Sequence, residues 1–435
     1  MAGLLSGKLK SLRNQAGAKA FGAPEPGAAS EPPTVRVREE MYFETGLGLV
    51  EPGAQLERLR RQFQLRHASV KRPKWSESDL ADAVDGYLAA PGLIEVKAEL
   101  LYPHPCGSTV LEASALEAAR EFLPTAPELG TVDTVIVLDT ETSGLSGGTG
   151  TVPFLVGATV LKKDSTAFYQ WMMTRFEGES HMLTRLKACL QAEKGTRACV
   201  LTYNGAAFDL PLLETRARLN GMRLELETYE HLDLLHWVRR AFSGRWPNCK
   251  LQTAERRLLE FTREDDTPGH EVPAHWFDWM RHGDGRGLKG VMRHNRLDII
   301  NLGALLKPLC DAFHEPAAYG ARIVPAKLHT AGEEGVYTEL LDNQDMLDSS
   351  ECLELARLAK RKGAWCVAEA ALGSLAARRD PAAMLQLAKL CEHQLGDLER
   401  ALELTLSLAA LRLPPKDIHV RLERLESKRA QQRAV

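Results

Sequence analysis

The feature that most constrains this chain is an apolar, mostly β-branched run, Val135-Ile136-Val137-Leu138, ending in Asp139-Thr140-Glu141-Thr142-Ser143-Gly144-Leu145. Consecutive apolar residues followed by a small, glycine-bearing turn read as a buried strand. Side chains alternate along a strand, so Asp139 and Glu141 point to the same side of the sheet. Two carboxylates at the mouth of an apolar strand repel unless a cation lies between them. A hard divalent ion such as Mg²⁺, which takes oxygen ligands, meets that need. A solvated acidic turn would also explain these residues alone, and the rest of the chain has to decide.

A chain of 435 residues is long enough for about two or three domains. The formal net charge of −3 exerts no global pull on nucleic acid or anionic membrane, so a polyanion site must be a local patch. Eight cysteines are scattered without a C-x-x-C pair, which favours reduced thiols in a cytoplasmic protein over a disulfide framework or a zinc site. No apolar run approaches ~18 residues, so no membrane span is expected. The start, Met1 to Arg13, has too short an apolar core for a signal peptide.

Residues 1–34 hold an Ala/Gly/Pro/Ser-rich stretch and read as a flexible segment. Residues 35–130 read as a small accessory region, with helical spacing at Pro52–Gln64 and Ser76–Leu88, a strand at Ile94–Tyr102, and a turn at Pro103–Gly107. From 131 to 315 strands and helices alternate. The apolar runs Pro153–Leu161 and Ala167–Met173 suggest a hairpin, Glu179–Gln191 a helix, Cys199–Tyr203 a strand broken by Asn204-Gly205, and Phe208–Leu219 a helix. Three strands, a helix, a fourth strand and another helix is the order of a ribonuclease H-like mixed sheet flanked by helices, an α/β fold. Helices are then expected over His231–Phe242, Leu251–Leu259 and Leu288–Leu306. In the last part, 335–430, Leu355-Ala356-Arg357-Leu358 recurs about 32 residues later as Leu387-Ala388-Lys389-Leu390, each followed by a glycine and a second helix. That is an α-helical, tetratricopeptide-like pattern or a plain helical bundle.

Two further acids stand out. Asp209 follows Tyr203-Asn204-Gly205 and opens a helix, with Pro211 in a first turn that tolerates proline. Asp298 follows His294 by four residues on a helix, so the two share a face. Taken singly, Asp209 is also a simple helix-dipole acid and His294–Asp298 a simple ion pair. Asp233 and His236 are either supporting partners or a polar helix edge. Arg239, Arg240, Arg245, Lys250, Arg256 and Arg257 are a cationic run able to neutralise phosphates or to stay solvated. Tyr203, Phe154 and Phe208 are candidates for stacking on a terminal base, with buried core the safer reading of Phe154 and Phe208.

Asp-Thr-Glu at a strand end, Tyr-Asn-Gly-x-x-Phe-Asp-x-Pro-x-Leu and His-Asn-x-x-Asp, in this order, resemble the three motifs of the DEDD (DnaQ-like) 3′–5′ exonuclease superfamily. Thr149 to Gly157, Thr202 to Gly205, His231 to His236 and Cys249 to Glu255 resemble its YprB-like group, whose members carry tetratricopeptide-type helices after the nuclease domain. The resemblance implies a two-metal phosphodiester hydrolysis with Asp139, Glu141, Asp209 and Asp298 holding two Mg²⁺ or Mn²⁺ ions. It implies His294 as general base, although here the histidine takes the four-residue spacing that the superfamily gives to tyrosine. Thr140, Leu145, Tyr203 and Asn204 are the implied substrate contacts. The expected activity is 3′–5′ exonuclease action on single-stranded nucleic acid, with a protein partner on the C-terminal helices. The alternatives are a non-catalytic nucleic-acid-binding scaffold and an endonuclease using the same metal site.

Overall fold

The structure, a computed structural model, describes residues 74–123, 132–144, 150–332, 335–337, 340, 343–411 and 417–433. The expected flexible segment 1–34, the helix Pro52–Gln64, Leu145 and most of the glycine loop Ser146–Gly150 lie outside the described residues.

Helix α1 (Glu77–Ala83) is closed at its start by Ser76, whose hydroxyl accepts from the Asp79 N–H while Asp79 reaches back to the Ser76 N–H. It is shorter than its apolar spacing predicts. The chain reverses at Asp85, in the left-handed region at φ 56°, and Leu88 belongs to strand β1 (Tyr87–Ala90). Strand β2 (Leu93–Glu99) follows. The expected turn at Pro103–Gly107 is instead a small hairpin, β3 (His104–Cys106) with β4 (Thr109–Leu111), and helix α2 (Ser114–Phe122) comes next.

The expected core strands then appear in order. They are β5 (Thr134–Thr142), β6 (Pro153–Leu161), β7 (Thr166–Met173), α3 (Gly178–Ala192), β8 (Ala198–Thr202) and α4 (Asp209–Leu219). A further departure from expectation follows this core. His231 to Asp233 lies in a strand, β9 (Glu230–Asp233), and helix α5 (Leu234–Phe242) starts only afterwards. The register Val200↔His231 and Leu201↔Leu232 gives these backbone groups partners in β8, which outweighs the helical spacing of the leucines.

One sheet results, in the order β1-β2-β7-β6-β5-β8-β9, antiparallel from β1 to β5 and parallel over β5, β8 and β9. The hairpin from the N-terminal region therefore extends the same sheet. Val135, Ile136, Val137 and Leu138 are buried, and each such side chain contributes about 1.5–3 kcal/mol. Helix α6 (Leu251–Ala254) widens into a π-helical turn, Glu255–Leu259. Helix α7 (Val272–His282) is tied to the end of β7 by the indole N–H groups of Trp276 and Trp279, which donate to Met173 O and Thr174 O at 3.0 and 2.9 Å. Helix α8 (Arg286–Ala304) packs on β5 and β6 through Leu288, Val291, Met292, Ile299 and Leu302.

After α9 (Leu306–His314), α10 (Pro316–Tyr319) and α11 (Ile323–Thr330) come helices α12 (Ser349–Lys362), α13 (Trp365–Ala377), α14 (Pro381–Leu390), α15 (Leu398–Ala409) and α16 (Ile418–Arg433), with a core of their own. The two repeated glycines, Gly363 and Gly396, end helical segments at φ 73° and 71°, where a side chain would be strained. Arg245 joins this region to the sheet domain by ion pairs to Asp348 and the buried Glu351, at 2.8 and 2.6 Å. It is thus committed to a structural contact, not free for phosphate.

Candidate active site

The site is built where parallel strands β5 and β8 end side by side, the position at which open α/β sheets bind ligands. Asp139 and Glu141 finish β5, and Asp209 is the first residue of α4, one short turn after β8. Helix α8 crosses the sheet and brings His294, Asn295 and Asp298 to the same place. The five residues expected from the sequence are therefore drawn together from three distant segments.

Their orientation is fixed by neighbours. Asn295 Nδ2 donates to Asp139 Oδ2 at 2.9 Å, and Gln170 Nε2 on β7 donates to Asn295 Oδ1 and to Met292 O, both at 2.8 Å. Gly157 sits opposite Asp139 in the β5–β6 register. A Cβ there would lie 2.2 Å from Asn295 Oδ1, so only glycine leaves room for the asparagine. The Thr140 hydroxyl donates to Asp209 Oδ1. The turn between β8 and α4 is organised by Asp233, which accepts from the N–H groups of Asn204 (2.7 Å) and Ala206 (3.1 Å) and caps α5 through Leu235 N–H. Asn204 takes a left-handed conformation at φ 72°, and a Cβ on Gly205 would press on Thr202 at 2.5 Å.

Burial, followed by the charges of Asp298, Glu141 and Asp209, pushes the Asp139 carboxyl well above the usual carboxylate range. Burial and then Asp298, Asp209 and Asp266 do the same to Glu141, against a smaller opposing pull from Arg263. Burial raises Asp209 as well, opposed by its bond from Thr140. Oxygen donors that are half-buried together and resist joint ionisation are the donor set of a hard divalent cation, so the residues present fit such an ion.

Three residues unforeseen from the sequence, Arg263, Asp266 and Asn301, complete the cluster. Arg263, nearly sealed from solvent, donates to Asp298 Oδ1, to both oxygens of the buried Glu255, and to Asp266 at 3.2 Å. Asn301 supports Glu255 at 3.1 Å. Asp266 in turn contacts His294 Nδ1 at 2.8 Å. His294 Nε2 faces inward, 3.5 Å from Asp298 Oδ2 and 3.9 Å from Glu141 Oε1.

Of the remaining expected residues, Tyr203 donates to Cys249 O at 2.6 Å. With Asn204, Arg239, Trp246, Asn248 and Lys250 it lines an open groove of roughly 650 Å³ beside the turn that leads to Asp209. Arg240 lies over Trp237, its guanidinium carbon 5.3 Å from the ring centroid. Phe154 is core, stacked on Trp276 with centroids 5.1 Å apart, as expected. Phe208 corrects the expectation: it is 54% exposed beside Asp209, because the residue before the helix turns outward. His236 is exposed, while His231 bonds Thr202 Oγ1 at 2.9 Å. A second potential ligand group, Glu121, Cys310 and His314, is accounted for by the exposed Glu121–His314 pair at 2.6 Å.

Residues 136–310 match the RNase_H superfamily, the class that this sheet order and strand-end site define. Over 310 residues, 67% of this chain and 74% of the relative, the sequence is 31% identical to a Bacillus subtilis (strain 168) protein named "Uncharacterized protein YprB". The chain belongs to this family of RNase H-like proteins. No helix among the described residues is long and apolar enough to cross a membrane.

Proposed function

We propose that this protein is a metal-dependent nuclease that hydrolyses phosphodiester bonds, acting as a 3′–5′ exonuclease on single-stranded nucleic acid. The observation that carries the reading is the convergence of Asp139, Glu141, Asp209 and Asp298, the first three of them pushed upward by burial, at the carboxyl ends of β5 and β8. These carboxylates would hold two Mg²⁺ or Mn²⁺ ions, which supply the Lewis acidity that activates water and stabilises the departing 3′ oxygen.

The chain's own residues do the positioning. Asn295 fixes one oxygen of Asp139, Thr140 fixes one of Asp209, and Arg263 fixes one of Asp298. The groove beside Tyr203 and Asn204 offers Arg239 and Lys250 to phosphates and the partly exposed Trp246 to a base. The ordered Asp-Thr-Glu, Tyr-Asn-Gly and His-Asn-x-x-Asp motifs support the 3′–5′ direction. The paired helices α12–α15, with their recurring Leu-Ala-(Arg/Lys)-Leu, support a tetratricopeptide-like platform for a protein partner. Eight free cysteines fit a reducing, cytoplasmic setting.

A non-catalytic nucleic-acid-binding scaffold is the second reading, favoured by one observation: Arg263 already neutralises part of Asp298 and Glu255. Among the described residues the ion pairs of Arg263 go to Glu255, Asp266 and Asp298 and not to Asp139, Glu141 or Asp209, which favours the enzyme. The test is release of nucleotides from a labelled single strand with Mn²⁺, using Asp139→Asn as control. Release by wild type alone supports the nuclease, and equal signals from both contradict it. Cleavage of a strand with a blocked 3′ end would assign endonuclease action instead.

A further inference from the structure

The four-residue spacing between His294 and Asp298 places the imidazole differently from a free base waiting beside a water. Its Nδ1 edge is occupied by Asp266 at 2.8 Å, and Arg263 Nη1 lies farther from the same nitrogen at 3.5 Å. A carboxylate oxygen at this distance engages the Nδ1 edge as an acceptor, which leaves Nε2 as the edge that points inward. There it faces Glu141 Oε1 and Asp298 Oδ2, two further lone-pair donors. All three donor atoms lie within 4.8 Å of one another.

The separations suit a shared ion. For ligand bonds of ~2.1 Å, donors at right angles about one cation stand ~3.0 Å apart, and opposite donors ~4.2 Å. The observed 3.5 and 3.9 Å fall between these limits. A histidine whose outer nitrogen donates to a carboxylate while its inner nitrogen meets other ligands is the usual carboxylate–histidine–metal arrangement.

We propose that His294 is itself a ligand of the divalent cation, steadied by Asp266 as a positioning residue, and not a free general base. This rests on the reading of the acids as a cation site. Its consequence is selectivity: a nitrogen donor favours a first-row transition ion such as Mn²⁺ over Mg²⁺, which prefers all-oxygen surroundings. Arg263, by holding Asp298 Oδ1, directs the other oxygen of that carboxylate toward the same ion.

Pulsed electron paramagnetic resonance of the full chain loaded with Mn²⁺ tests this without reference to activity. The expected spectrum carries nitrogen modulation from a directly bound imidazole. His294→Gln abolishes the modulation while Mn²⁺ still binds, and Asp266→Asn weakens Mn²⁺ binding about 10–100-fold with a smaller effect on Mg²⁺. Bound Mn²⁺ without nitrogen modulation in the wild type overturns the inference while leaving the nuclease reading standing. So does modulation that persists in His294→Gln. Absence of any stoichiometric Mn²⁺ binding overturns both together. Thermal melts of the metal-free variants check that each is folded.

Discussion

Acids in two places of this protein, the buried Glu392 and the half-buried pair Asp139 and Glu141, have opposite surroundings. Glu392, in the π-helical turn Cys391–Leu395 of the C-terminal helices, is ringed by Arg421 at 2.7 Å, Lys428 at 2.9 Å and Arg424 at 3.0 Å. Burial alone would raise its carboxyl, but Lys428, Arg424 and Arg421 together hold it below the usual range. Asp139 and Glu141 are surrounded by other carboxylates, and both are pushed up. The helical region supplies its own cations and has a finished structural ion cluster. The strand-end cluster keeps a deficit of positive charge that Arg263 only partly fills. A charge imbalance of this kind is costly to stability, and on the proposed reading an ion from outside would offset it.

Mutation distinguishes the two clusters. Asp139→Asn is expected to lower nucleotide release by about 10³-fold or more, because it removes a central cation ligand. The same change should raise the melting temperature of the metal-free protein, by removing a repelling charge. Glu392→Gln should leave release unchanged. A fall in activity with Glu392→Gln, or a destabilised metal-free Asp139→Asn, would show that the two clusters do not differ in kind.

Metal addition sharpens the contrast. Mn²⁺ at about 100 times its Kd should stabilise wild type and Glu392→Gln alike by about 2.7 kcal/mol in thermal melts, and Asp139→Asn much less. Gly157→Ala should cost about 1–3 kcal/mol, since the new methyl displaces Asn295 and with it the support of Asp139. Glu392→Gln should cost about 1–3 kcal/mol at neutral pH with no effect on Mn²⁺ affinity, its partners Arg424 and Lys428 being partly exposed.

The smallest effect is in the pH slope, and it has opposite signs in the two places. Asp139 and Glu141 have folded-state values above the ordinary 3.8 and 4.5, so the metal-free folded state binds more protons than the unfolded one. Their contribution to stability therefore declines as pH rises above that range. Glu392 is lowered from 4.5, so its contribution is present above that value and disappears as pH falls through the folded-state one. Wild type minus Asp139→Asn and wild type minus Glu392→Gln, each measured by denaturant melts across pH, should slope in opposite directions.

Much of the site was legible because its acids occupy positions that backbone periodicity defines. Strand alternation pairs Asp139 with Glu141, a broken strand introduces Asp209, and helical spacing pairs His294 with Asp298. The residues that aim them were not legible in the same way. Arg263 and Asp266 lie in a segment with neither helical nor strand period, where Arg263-Glu264-Asp265-Asp266 reads as an ordinary solvated charge run. Only the packing of that segment against α8 brings it to the acids. Asn295 left a clearer trace: it interrupts the apolar stripe Leu288, Val291, Met292, Ile299, Leu302. Gln170 likewise breaks the apolar side of β7. A buried amide on a hydrophobic stripe needs a partner, and here the chain of partners ends at Asp139. Strand β9 was hidden because its hydrogen bonds are made to a segment about 30 residues away, which no local pattern records.

The most direct test of the central claim is the release of mononucleotides from a single strand labelled at its 3′ end. Wild type and Asp139→Asn would be compared with Mn²⁺ and with chelator. The cluster predicts release by the wild type that needs Mn²⁺, stops with chelator and is lost in Asp139→Asn. A wild-type protein that binds Mn²⁺ but releases no nucleotide, or release that survives chelator and the substitution alike, would contradict it.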